Sequence, residues 1–210
     1  MAYSQDSHYW NLQYGTKSTL LGGAVIGSVR ELSATYYNPG AVALFNDPKL
    51  ILSAKVYQYE SITVVNGAGE NKDLDYSSIS PSPTFVAFDI IIDTTGRNKL
   101  AFSLLTRQSM NFEFETRQIG IEDGSANNNF VAGGLSMHQK FDEIWGGLTF
   151  SHRLSEVVGL GVTGYVAYRN QTYNLQTVIE DLDSINQISS LTAFRNLKFK
   201  NYRVLLKTGL

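Results

Sequence analysis

Cysteine is absent from the 210 residues, which removes thiol nucleophiles, thiolate metal sites and disulfides from consideration. The absence also suits a chain exported through an oxidising compartment without bridges. Histidine is scarce: His8, His138 and His152 lie far apart and show no His-x-x-x-His or carboxylate spacing that would hold a metal. No Gly-x-Ser-x-Gly elbow and no nucleophile with a matched base occurs. The expectation is a protein that is not an enzyme, with no metal and no cofactor. An excess of one charge is missing too, since 17 basic residues face 19 acidic ones. A net charge of -2 gives no field to draw in phosphates, so nucleic acid is set aside as a partner.

Long hydrophobic runs are also lacking. No stretch of about eighteen uncharged apolar residues exists, which excludes a spanning helix. It does not exclude a spanning barrel, because barrels place their apolar residues at every second position. A mean hydropathy of -0.13 is what that dilution yields.

What the chain does have is aromatics and alternation. Tyr 12, Phe 11 and Trp 2 are rich for this length, and membrane barrels use such residues as girdles at both interfaces. A β-sandwich draws on the same residues. Leu100, Phe102, Leu104, Met110, Phe112 and Phe114 alternate with Ser103, Arg107, Ser109, Asn111, Glu113, Glu115 and Arg117. That run of about eighteen residues is several times a globular strand but suits a tilted membrane strand projecting past the bilayer. Leu160, Val162, Val166 and Tyr168 repeat the pattern, with 143–153 as the hairpin partner.

Further candidate strands at 49–61, 84–93, 130–141 and 197–210 bring the count to about seven. Gly146, Gly147, Gly159, Gly161 and Gly164 are expected to let the wall bend. Between 177 and 194, Val178, Leu182, Ile185, Ile188 and Leu191 recur at three and four, which predicts an amphipathic helix in a loop. Arg107, Glu113, Glu115 and Arg117 are expected to share the lumenal face of one strand as a charged, wet wall. An odd strand count, two open edges and no terminal aromatic predict a wall that continues past Leu210. Ala2-Tyr3-Ser4 before Gln5 fits the stub of a secretion signal as well as it fits an arbitrary start.

The N-terminal region does not alternate. Gly15, Gly22, Gly23 and Gly27 precede Glu31-Leu32-Ser33-Ala34-Thr35-Tyr36-Tyr37-Asn38-Pro39-Gly40-Ala41. Asn38 is expected to form an Asx turn, Pro39 to hold Asn38 extended, and Gly40 to permit positive φ. No Gly-Lys-Ser/Thr is present, so the glycines are not a phosphate loop.

Leu21-Gly22-Gly23-Ala24 followed by Tyr37-Asn38-Pro39 resembles the N-terminus of the FadL/TodX family of outer-membrane transporters. Gly40-Ala41 stands where Ala-Gly is commoner in that family. The resemblance implies an all-β fold: a transmembrane antiparallel β-barrel, present here as a partial barrel after an N-terminal hatch with short helices. The hatch would span 1–46 and the wall 47–210, with Gly22, Gly23, Tyr36, Tyr37, Asn38, Pro39, Gly40 and Ala41 as the hatch motif. It further implies a location in the bacterial outer membrane, contact with outer-membrane lipid, and uptake of hydrophobic small molecules such as long-chain fatty acids or aromatic hydrocarbons. Some relatives scaffold secretion systems, so periplasmic or secretion-system proteins are the alternative partners. A soluble, glycan-binding β-sandwich is the third reading, and strands this long fit it poorly.

Overall fold

The computed structural model describes residues 13–27, 29–44, 50–67, 72–121, 130–182 and 188–210. The candidate signal stub at 1–4 lies outside these. Six long strands follow three short helical pieces: α1 (Thr16–Leu20), α2 (Ala34–Tyr37) and a 3-10 turn (Pro39–Leu44). The strands are β1 (Leu50–Val64), β2 (Leu74–Ile91), β3 (Asn98–Ile121), β4 (Phe130–Arg153), β5 (Gly159–Leu182) and β6 (Ile188–Gly209). They form one antiparallel meander in sequence order, the arrangement that short connections favour. The sheet is open, with β1 and β6 as its edges among the described residues.

Among the described residues the strand count is six, not seven. The expected strands at 130–141 and 143–153 are one 24-residue strand, β4. Asp142 alone, with no Gly, Pro or Asn beside it, is too little to reverse the chain between Phe141 and Glu143, and the ladder to β5 runs through them without a break. The amphipathic helix expected at 177–194 is absent from the described residues. Val178 pairs with Thr192 and Ile179 with Leu191, so β5 and β6 extend through both ends of that segment. Adjacent β-branched residues pack well on a pleated surface and poorly in a helix.

The two faces of the sheet have opposite fates. Residues 13–44 lie on one face, called inner here, and bury Tyr14, Val25, Val29, Leu32 and Val42 against Phe85, Ala87, Ala101, Leu105 and Tyr165. On the outer face, Leu50, Phe88, Phe102, Leu148, Val166 and Leu206 are exposed. No second sheet covers these positions among the described residues.

A bulge at Arg107 breaks the alternation of β3, because Thr106 pairs with Ile144 while Gln108 pairs with Glu143. One extra residue reverses every side chain beyond it. Leu100, Phe102 and Leu104 therefore share a face, whereas Met110, Phe112 and Phe114 lie on the other. β2 and β3 pair only over Phe85–Leu105 to Ile91–Lys99, and beyond Phe85 β2 follows β1 alone.

Candidate functional site

The site grows from the reversal at Asn38. Its backbone is extended, with φ -151 and ψ 91, as a residue before proline must be. Its side-chain oxygen accepts the Gly40 N–H at 3.2 Å, the expected Asx turn. Its amide donates to the carbonyls of Leu210 at 2.8 Å and Ile26 at 3.3 Å.

Short helical turns leave carbonyls without intrahelical partners. Here the wall strands supply the donors. Thr163 and Tyr165 donate hydroxyls to the Thr35 carbonyl at 3.0 and 2.9 Å. Lys207 Nζ reaches the Tyr36 carbonyl at 2.8 Å, Ser151 the Pro39 carbonyl at 2.8 Å, and Arg153 Nε the Ala43 carbonyl at 2.8 Å. Each such bond contributes about 1 kcal/mol net, more for the charged donors.

Close backbone approach makes these bonds reachable. A Cβ on Gly40 would lie 2.3 Å from the Gly159 carbonyl oxygen, and one on Gly161 2.3 Å from the Pro39 carbonyl carbon. Gly40 is therefore required for the missing side chain; among the described glycines, positive φ belongs to Gly15, Gly22, Gly23 and Gly96. Gly159 and Gly161, expected to bend the wall, are instead the seat of the turn. Gly147 yields its space to the Tyr165 ring.

Above the seat lies an aromatic and charged layer. Tyr36 stacks edge-on with Tyr14 at 4.8 Å and Tyr37 at 5.1 Å between ring centroids. The Arg107 guanidinium sits 5.7 Å from the Tyr36 ring and 5.6 Å from that of Trp145. Lys207 Nζ lies 3.4 Å over the Tyr36 ring. These distances suit cation–π attraction. Tyr14 donates its hydroxyl to the Thr106 carbonyl at 3.0 Å, and burial pushes that hydroxyl well above the usual tyrosine range.

Glu143 accepts from three side chains: Trp145 Nε1 at 2.7 Å, Arg169 Nε at 2.8 Å and Arg203 Nη2 at 3.0 Å. The inner wall at this level thus carries Arg107, Arg169, Arg203 and Lys207 against one carboxylate. Lower down, Lys99 and Asp89 form a fully buried pair at 3.3 Å.

Beyond the bulge the inner face turns apolar. Phe114 and Phe141 are buried there beside Met110 and Phe112. Phe114 meets Phe112 at 5.4 Å and Tyr76 at 6.2 Å, while Arg169 lies 4.8 Å over Phe141. An apolar lining above a cationic floor can hold a greasy molecule.

The expected site residues divide. Tyr36, Tyr37, Asn38, Pro39, Gly40 and Ala41 converge at the seat, but Gly22 and Gly23 only turn the chain after α1 with φ 61 and 86. Arg107 faces inward and is buried. Glu113, Glu115 and Arg117 do not share its face: the bulge puts them on the outer side, where Arg117 pairs with Glu180 at 2.7 Å. Glu143, Arg169, Arg203 and Lys207 went unnoticed in the sequence. Their parity with Tyr165 and Trp145 was the available signal, because odd positions face inward throughout β5 from 161 to 169 and in β4 from 141 to 151.

Among the described residues no group of three or more His, Asp or Glu is placed to hold a metal ion, and no helix is long and apolar enough to cross a membrane. No family model, curated protein or solved structure matches the chain.

Proposed function

We propose that this chain is the plug-bearing wall of an outer-membrane β-barrel that takes up hydrophobic small molecules, of the kind long-chain fatty acids and aromatic hydrocarbons represent. The observation that carries the reading is an exchange of faces along the strands. Over 160–168 of β5 and the residues paired with it, the outer face is mainly apolar: Leu160, Val162 and Val166 in β5, Leu148 and Phe150 in β4, Val204 and Leu206 in β6, with His152 and Thr208 at its lower edge. Nine residues is the length a tilted strand needs to cross a bilayer, about nine to eleven. Tyr168 and Tyr202, with rings 5.0 Å apart, close the band at its upper edge in the manner of an interfacial girdle.

Above that edge the outer face is polar, with Asn170, Thr172, Asn174 and Gln176 in β5. There it is the inner face that is apolar. Barrel lumens are polar by default, so Met110, Phe112, Phe114 and Phe141 above a plug favour a hydrophobic cargo. In a barrel the free edges of β1 and β6 are paired by further strands. The resemblance of the Asn38 turn to the FadL/TodX hatch adds to this reading.

Two measurements test it on the protein in its native membrane. The lack of native cysteine allows single-cysteine spin labels without background. Labels at Val162 and Val166 are expected to be relaxed by oxygen dissolved in acyl chains, and a label at Asn174 by aqueous nickel; aqueous access at all three sinks the membrane reading. Phe112→Glu with Phe114→Glu is expected to lower fatty-acid or hydrocarbon uptake by about tenfold at unchanged protein level. Unchanged uptake, or copurification with secretion components instead, overturns the transport reading.

A further inference from the structure

A cationic shelf lies on the outer face just past the aromatic pair. The register places Lys200, Asn170 and Asp142 side by side in the row after Tyr202, Tyr168 and Ile144, and Lys198, Thr172 and Lys140 in the row after that. With strands about 4.8 Å apart, Lys140 and Lys198 stand about 10 Å from each other across Thr172. All three lysines are exposed. Lys140 has a partner, Asp142, at 3.6 Å, and Asp142 also accepts from Ser109 at 2.9 Å. Among the described residues neither Lys198 nor Lys200 has an ion-pair partner.

The charges higher on the same face behave differently. Arg117 is taken up by Glu180 at 2.7 Å, and His138 lies 4.0 Å from Glu113. Among the described residues of β4 to β6, the unpaired positive charge of the outer face thus lies in the two rows that adjoin the girdle.

We infer that Lys140, Lys198 and Lys200 bind the phosphates of phosphorylated lipid headgroups in the leaflet toward which the strands project. The inference rests on the membrane reading above, because the shelf meets headgroups only if the nine-residue band sits in hydrocarbon. Lysine is a compact point charge that suits phosphate, and cations at the headgroup level are drawn to anionic lipid until salt screens them. Such a collar fixes the depth of the wall in the bilayer and recruits a sleeve of phosphorylated lipid around β4 to β6.

The test uses the full protein in nanodiscs of phosphatidylcholine doped with diphosphorylated lipid A or with the same glycolipid stripped of phosphate. Retained glycolipid is counted by mass spectrometry after washing at low and high salt. The phosphorylated form is expected to be enriched around the wild type, and to fall by roughly fivefold for each of Lys140→Gln, Lys198→Gln and Lys200→Gln at low salt. Arg117→Gln, several rows higher, is expected to change nothing. Equal retention of both glycolipids, or full retention by the triple variant, overturns the shelf. Equal displacement by millimolar inorganic phosphate also counts against it, since the site would then be a free-phosphate site. Spin labels at Val162 and Val166 in the same samples separate the two failures: lipid contact there with no retention defect sinks the shelf alone, and water contact there sinks the membrane reading with it.

Discussion

The lower nine residues of β3 to β6 and the longer stretches above them are built from the same strands yet obey opposite rules. Below Tyr168, small and polar inner residues such as Ser103, Thr149, Ser151 and Thr163 are buried under the plug, and large apolar ones look outward. Above it, Met110, Phe112, Phe114 and Phe141 look inward, while Glu113, Glu115, Arg117, Lys140 and Asp142 look outward. In β3 the change is made by one inserted residue, Arg107; in β4 and β5 the register is unbroken and composition alone changes. Strand geometry fixes only which residues share a face, so the same sheet offers grease to two different surroundings at two heights.

The comparison breaks most severely if the plug is unseated. Gly161→Val is the sharpest way to do so, because the added atoms would meet the backbone of Pro39, which cannot rotate aside. Overpacking of this kind costs about 3 kcal/mol or more at its upper end. The expected outcome is a plug that becomes cleavable near 27–44 in limited proteolysis while β3 to β6 stay protected. A plug that remains resistant in Gly161→Val would mean that the glycine seat does not hold it.

A smaller effect separates the two heights directly. Val166→Lys puts a charge in the middle of the outer band, where lipid-facing lysine costs about 2–4 kcal/mol; reach toward the polar rows above should keep the loss near 2 kcal/mol. Asn174→Lys makes the same change on the same face of the same strand, eight residues away, and should shift stability by no more than about 0.5 kcal/mol. Urea unfolding from vesicles, read by Trp145 fluorescence, checks both. Equal losses at the two positions would erase the distinction between band and extension.

Much of this was legible in alternation, and the parts that were not have physical causes. The pattern in Leu160, Val162 and Val166 and the turn at Asn38-Pro39 depend on local stereochemistry, which sequence displays. The bulge shows only as an interruption, polar Thr106 and Gln108 on the apolar side of the pattern; because Leu104 and Met110 are both even-numbered and apolar, the pattern resumes in phase and conceals that Glu113, Glu115 and Arg117 have changed sides. The spacing of Val178, Leu182, Ile185, Ile188 and Leu191 in the sequence suits a helix in isolation, yet at both ends of that segment a partner strand was available and the ladder prevailed. Gly159 and Gly161 were visible as glycines, but that their missing side chains accommodate Pro39 and Gly40, more than a hundred residues earlier, is tertiary information. The inner cluster on Glu143 was likewise hidden because its members come from two strands besides its own.

The mildest expected effect lies in the β2–β3 turn, beyond the lower edge of the band. Asp93 accepts the Thr95 hydroxyl at 2.5 Å, the Asn98 N–H at 3.1 Å and the Asn98 side-chain amide at 2.9 Å. These bonds, that from Thr95 foremost, favour the carboxylate and hold its pKa below the ordinary 3.8. A depressed folded value means the turn gains stability that is complete above the unfolded pKa and disappears as pH falls through the folded one. Protection of the Asn98 amide in hydrogen exchange, corrected for intrinsic rate, should therefore be flat from pH 7 to 5 and drop only below the ordinary carboxyl value. Asp93→Asn keeps an acceptor but cannot titrate, so its protection should be lower at pH 6 and no longer depend on pH. Because the turn stands outside the band, Val162 and Val166 labels should not respond to the same acid step, and a response there would show that the turn and the outer face of β5 open together.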